Sequence, residues 1–242
     1  MPFNTIRPKN AICKSALVVV PISIALSGCA PKTEANLPLQ QPSIIVQRQQ
    51  TVSIPSWKLL SASNSGDIEE VKSLIAGGAD VNAKDKDHMG RTALIGAAWS
   101  NQRAVVELLI ANGADIEATD NEGKTALMGA ALWRHKEVVE LLVEKGADVN
   151  AKDNDGKTAL IVDAQERQIR YITRGLCSYA NEVWDYMGIA NQLIAKGADV
   201  NAKDNDGKTA LDYAKLSKCP KWPGQIIDQN LIILLKKHGA KE

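Results

Sequence analysis

A chain of 242 residues with 45% hydrophobic side chains can bury a sizeable core within one domain. Its 29 basic and 28 acidic residues give a formal net charge of +1, which provides no basic field for collecting nucleic acid. One Phe and four Tyr beside abundant Ala and Leu favour small residues packed between helices over an aromatic-rich sheet.

Residues 1–28 contain Arg7, Lys9 and Lys14 and no acid, followed by the apolar run from Ala16 to Leu26 and then Ser27, Gly28 and Cys29. That order is a secretory signal. The run is shorter than the roughly 18 to 20 apolar residues that span a bilayer as a helix, and Pro21 interrupts it, so no permanent transmembrane anchor is expected. Leu26-Ser27-Gly28-Cys29 resembles a lipobox, which is cleaved just before a cysteine that carries diacylglycerol and is then acylated on its new amino group. The resemblance implies a lipidated Cys29. Burial is worth about 0.8 kcal/mol per CH₂, so several acyl chains anchor stably where one is marginal. Ala30, in place of the aspartate that signals retention in Gram-negative lipoproteins, implies an outer-membrane anchor facing the periplasm. The alternative is an ordinary signal peptide with an incidental cysteine. Cleavage removes three of the 29 basic residues and none of the 28 acidic ones, leaving 26 against 28, a net charge of −2.

Residues 29–55 are rich in Pro, Gln, Ser and Thr without sustained periodicity, and read as a flexible tether. From residue 56 onward the chain is self-similar. Gly-Ala-Asp recurs at Gly78, Gly113, Gly146 and Gly197, with a partial copy at Gly239, and Gly-x-Thr-Ala-Leu recurs at Gly90, Gly123, Gly156 and Gly207. The glycine of the first motif ends a helix, where a left-handed residue is needed. Asp-Asn-Asp-Gly forms a tight turn, and Thr92, Thr125, Thr158 and Thr209 stand where they cap a following helix. Leu94, Ala97 and Ala98, then Val105, Val106, Leu108 and Leu109, supply two short amphipathic helices per copy.

This pattern, G-x-T-A-L-x-x-A-A followed by V-V-E-L-L-x-x-x-G-A-D-V-N-A, resembles the ankyrin repeat. The resemblance implies an all-α solenoid of about five helix pairs with short hairpin turns, at 57–78, 90–113, 123–146, 156–197 and 207–239. The family's Thr-Pro-Leu-His is here Thr-Ala-Leu followed by Ile95, Met128, Ile161 or Asp212, which loses a proline and a polar contact between repeats. Because terminal repeats must be modified for water, Ser61, Ser63, Asn64, Ser65 and Asp67 are expected to make the first pair polar on one side, and Lys236, Lys237, Lys241 and Glu242 the last.

Catalytic chemistry is missing from the pattern. His88, His135 and His238 lie in three different repeats with no ligand pair at helical spacing, and no Cys-x-x-Cys occurs, so no metal and no cofactor are indicated. The acidic turns at 153–156 and 204–207 lack the first and twelfth ligands of a calcium loop. No nucleophile elbow, phosphate-binding loop or His-Glu-x-x-His is present, so an enzyme is not expected.

By the same resemblance, partners meet the hairpin tips and the exposed face of each first helix, a concave surface. Carried onto this chain, it includes His88, Met89, Arg91, Trp99 and Ser100 in the second repeat, and Asn121, Glu122, Lys124, Leu132 and Trp133 in the third. Trp, Met and Arg are enriched at the energetic centres of protein interfaces. The alternative is that Trp99 or Trp133 folds back over the helix-pair core. The equivalent positions further on, Asn154, Asp155, Lys157, Gln165, Asn205 and Lys208, are polar and would supply orientation.

In the fourth pair the spacing widens. A helical pattern through Glu166–Ile172 prolongs its first helix, Gly175 breaks it, and a second helix is expected from about Ser178 through Trp184 to Ala195. Tyr171, Tyr179 and Tyr186 there form either a local satellite core or a second binding surface. Cys177 and Cys219 lie in the extra segments of consecutive pairs, so an oxidising periplasm favours a disulfide between them, the alternative being two separate thiols. The expected function is a membrane-tethered periplasmic module, monomeric when unbound, that binds a protein. An immunity protein blocking a toxic enzyme is one version; a scaffold for an envelope complex is the alternative.

Overall fold

The computed structural model describes residues 54–174, 187–216 and 228–241, with backbone alone for 167–174. The chain divides into a unit at 1–49 and a unit at 50–242, and the described residues all belong to the second. Among them are ten α-helices in five antiparallel pairs: α1 Ser56–Ser65 with α2 Ile68–Ala76, α3 Ala93–Trp99 with α4 Arg103–Ala111, α5 Ala126–Trp133 with α6 Lys136–Glu144, α7 Ala159–Arg174 with α8 Gly188–Ala195, and α9 Ala210–Leu216 with α10 Gln229–Lys237. First helices stack on first helices from α1 to α9, and second helices on second helices from α2 to α8.

The first helix of each pair after α1 starts where a threonine hydroxyl accepts the amide three residues on, whereas α1 follows Pro55 without a side-chain cap. Thr92 takes Ile95 N–H at 3.3 Å, Thr125 takes Met128 N–H at 3.3 Å and Thr158 takes Ile161 N–H at 3.5 Å. Ile95, Met128 and Ile161, at the family's histidine position, are buried in the core. Asp212, at the same position of the last repeat, does something different. Its carboxylate accepts the Thr209 amide and hydroxyl, each at 2.8 Å, which completes a capping box and lowers its pKa, chiefly through the backbone hydrogen bond. A polar contact is therefore retained there, within the repeat.

Small residues let the first helices approach closely. Ala97, Ala98, Ala130, Ala131, Ala164 and Ala214 are fully enclosed. Counting from the repeat glycine, Ser63 occupies the place of Ala98 and Ala131, and it too is 0% exposed, with its hydroxyl unpartnered. The expectation that Ser63 faces water is therefore corrected. Ser61, Asn64, Ser65 and Asp67 are exposed, and Asp67 caps α2 through the Glu70 amide at 3.0 Å.

Two polar ladders run along the stack. The hairpin tips are joined by backbone bonds from Asn121 N–H to Met89 O, Asn154 N–H to Glu122 O and Asn205 N–H to Asp155 O, at 2.9, 3.0 and 2.9 Å. The side-chain amides of Asn154 and Asn205 donate to the carbonyls of Asn121 and Asn154. These asparagines stand at the surface, but their amides are used to join repeats. At the other end of the pairs, Asn82, Asn150 and Asn201 each donate to the next repeat's glycine carbonyl and accept the amide two residues beyond it. Glu117 replaces asparagine in this ladder and only accepts, from Asp148 N–H at 2.8 Å.

The extended first helix of the fourth pair is confirmed by α7, which has 16 residues against seven or eight in α3 and α5. Of the second helix expected from about Ser178, the described part is α8, beginning at Gly188. Cys177, Tyr179, Trp184, Tyr186 and Cys219 lie outside the described residues, as do Cys29 and the tether before Ile54.

Candidate binding surface

The hairpin tips are built on buried aspartates. Asp120 accepts the amides of Glu122 and Lys124 at 2.9 Å each, and Asp153 and Asp204 repeat this with residues 155 and 157 and with 206 and 208. Burial raises the Asp153 pKa, against the two amide bonds that pull it down. One oxygen of each carboxylate is occupied by its own turn, and the other oxygen of Asp120 is enclosed without a partner. Asp204 also accepts the Tyr213 hydroxyl at 2.7 Å, and burial followed by this bond raises the tyrosine's pKa.

The first tip is longer. From Asp85 to Arg91 it spans two more residues than Asp120 to Lys124, and the extra chain forms a 3₁₀ turn at Lys86–His88 followed by Met89 in the left-handed region at φ 60°. The signal was present in the sequence: Gly78 to Gly90 is 12 residues, whereas Gly113 to Gly123 and its successors are 10. His88 Nδ1 lies 2.8 Å from Asp85 Oδ2, and the His88 side chain lines a cleft of about 230 Å³ with Trp57, Leu60, Ser61 and Asn64. Met89 is 43% exposed at the tip.

Four of the predicted residues form one contiguous strip. The Arg91 guanidinium carbon sits 3.8 Å from the centroid of the Trp99 ring, and its Nη2 lies 3.8 Å from Met89 Sδ. The Trp99 and Trp133 centroids are 6.2 Å apart with planes tilted by 57°. The two tryptophans differ in environment. Trp133 is 45% exposed, whereas Trp99 is half-buried, with its indole Nε1 enclosed and unpartnered. Its pyrrole edge lies over Gly129 so closely that a Cβ there would collide with Nε1 and Cδ1. His135 Nε2 lies 3.0 Å from the Trp99 carbonyl, so a proton on that nitrogen completes the bond. Trp99 thus seats the strip, and Met89, Arg91 and Trp133 present it. Leu132 is half-buried beside Trp133.

Arg134 ends α5 in the left-handed region at φ 63°. Its Nη1 reaches Asp163 Oδ1 at 3.0 Å, and Asp163, in α7, is fully buried. By count from the repeat glycine, Asp163 stands where α3 and α5 carry Ala97 and Ala130. The pair fixes the chain immediately after Trp133.

A family described as "Ankyrin repeats (3 copies)" matches residues 59–153 and 119–185, together more than half of the chain. The chain belongs to the ankyrin-repeat family. Ankyrin repeats are in general protein-interaction modules. Among the described residues, no group of three or more His, Cys, Asp or Glu side chains is placed to hold a metal ion. The ankyrin segment is 43% identical over 26% of this chain to the human mitochondrial disaggregase, covering 9% of that protein. It is 42% identical over 27% of this chain to serine/threonine-protein kinase 12 of Arabidopsis thaliana, covering 14% of it. It is 41% identical over 28% of this chain to the putative ankyrin repeat protein YahD of Escherichia coli, covering 33% of it. The chain spans a third or less of these relatives, so the likeness concerns the repeats.

Proposed function

We propose that this chain is a membrane-tethered periplasmic module that captures a protein partner on the hairpin-tip face of its second and third repeats. The observation that carries the proposal is the strip from Met89 through Arg91 and Trp99 to Trp133, which leaves a methionine and a tryptophan each more than two-fifths exposed on one continuous surface. The polar tips at Asp155 and Asp206 would orient the partner. The basic, then apolar, then Leu26-Ser27-Gly28-Cys29 order supports export and lipidation at Cys29, with residues 29–55 as tether and the periplasmic side of the outer membrane as location. An immunity protein that covers a toxic enzyme fits that location and binding mode, and a scaffold for an envelope complex uses the same surface.

Two experiments test the two halves, the surface and the anchor. A photo-reactive amino acid at position 133 of the full-length protein in intact cells is expected to cross-link a distinct partner, and the same group at the exposed Glu140 of α6 is not. A toxic enzyme as the cross-linked species supports immunity, and an envelope component supports the scaffold. Cys29→Ala is expected to lose fatty-acid labelling and to leave the membrane fraction or remain uncleaved. Partner cross-links from 140 alone would overturn the surface, and equal membrane association of the Cys29 variant would overturn the anchor.

A further inference from the structure

The three later tips share one charge arrangement. An acid two residues before a lysine pairs with it: Glu122 with Lys124, Asp155 with Lys157 at 3.2 Å, and Asp206 with Lys208 at 3.5 Å. At the first tip Met89 takes the acid's place and Arg91 the lysine's. The backbone ladder confirms the equivalence, since Asn121 N–H bonds Met89 O as Asn154 N–H bonds Glu122 O. Among the described residues no carboxylate pairs with Arg91. Asp85, the nearest buried acid of the tip, holds His88 and the Asp87 amide.

What remains of the Arg91 guanidinium is specific. One face is covered by Trp99, Nε is enclosed without a partner, and Nη2 meets only the methionine sulfur, a weak acceptor. A planar fork held against an indole is ready to take an oxyanion in two parallel hydrogen bonds. Apolar surface flanks it, at Met89 on one side and Trp133 beyond Trp99 on the other. A single unpaired cation matches the single charge of a carboxylate. A phosphate's second charge would find His88 already held by Asp85.

We propose that the partner docks an acidic peptide segment here, its carboxylate on Arg91 and its neighbouring apolar side chains over Met89 and Trp133. This rests on the protein-binding reading above and specifies the chemistry of that surface. The charge fixes register, and the apolar neighbours supply the affinity.

Displayed random peptides selected on the full-length protein test it. Enriched sequences are expected to carry Asp or Glu beside aliphatic or aromatic residues. A synthetic copy should bind Arg91→Met at least tenfold more weakly at an unchanged melting temperature, and Arg91→Lys in between. The glutamine version of that peptide should lose the same factor on the wild type and nothing on Arg91→Met. Peptides without acids, or acidic peptides indifferent to Arg91→Met, would overturn the inference while leaving the binding surface intact. Peptides unaffected by Trp133→Ala would overturn the surface, and the inference with it.

Discussion

Arg134→Ala is expected to destabilise the repeat domain by about 3 kcal/mol, because it leaves the fully buried Asp163 carboxylate without the guanidinium 3.0 Å away. For a domain of this size that is a fall of roughly 6 to 12 °C in melting temperature. The effect belongs to the pair. Arg134→Ala combined with Asp163→Ala puts at position 163 the small residue that α3 and α5 already have at Ala97 and Ala130, and should recover most of the loss. The coupling between the two changes is expected to exceed 1 kcal/mol. Additive losses from the two single variants, measured by thermal and urea unfolding, would show that the pair does not hold the third and fourth repeats together.

Trp99→Ala is expected to cost about 2 to 3 kcal/mol of stability, below the full cost of deleting a wholly buried tryptophan because the ring is only half-buried. It leaves a gap over Gly129 that the α5 backbone cannot fill, and removes the surface on which Arg91 rests. Partner affinity should therefore fall in the folded protein as well, through the lost positions of Arg91 and Trp133. Unfolding curves with binding measured on the folded fraction check both effects. An unchanged melting temperature would make Trp99 a surface anchor, not the seat of the strip.

The solenoid was legible because its signals are local and repeated: a capping threonine, a left-handed glycine and small residues at fixed distances. The less legible features depend on equivalence between repeats, position by position. Ser63 has polar neighbours in sequence, yet it falls on the enclosed alanine position. Asn154 and Asn205 read as turn residues, but the turn leaves their side-chain amides free to reach the preceding repeat. Asp212 read as a lost contact, yet a carboxylate three residues after a threonine is itself a cap. The binding strip was half legible. Its residue types and face could be named, while the division of labour between Trp99 and Trp133 depended on Gly129, whose missing side chain admits one indole edge and not the other.

The central claim is that Trp133 serves a partner and not the fold. Replacing Trp133 with alanine, and measuring affinity for the cross-linked partner together with thermal unfolding, tests it directly. The account predicts a loss of roughly 2 kcal/mol in binding, about thirtyfold, at the melting temperature of the wild type. A sharply lowered melting temperature with full affinity in the folded fraction would contradict it.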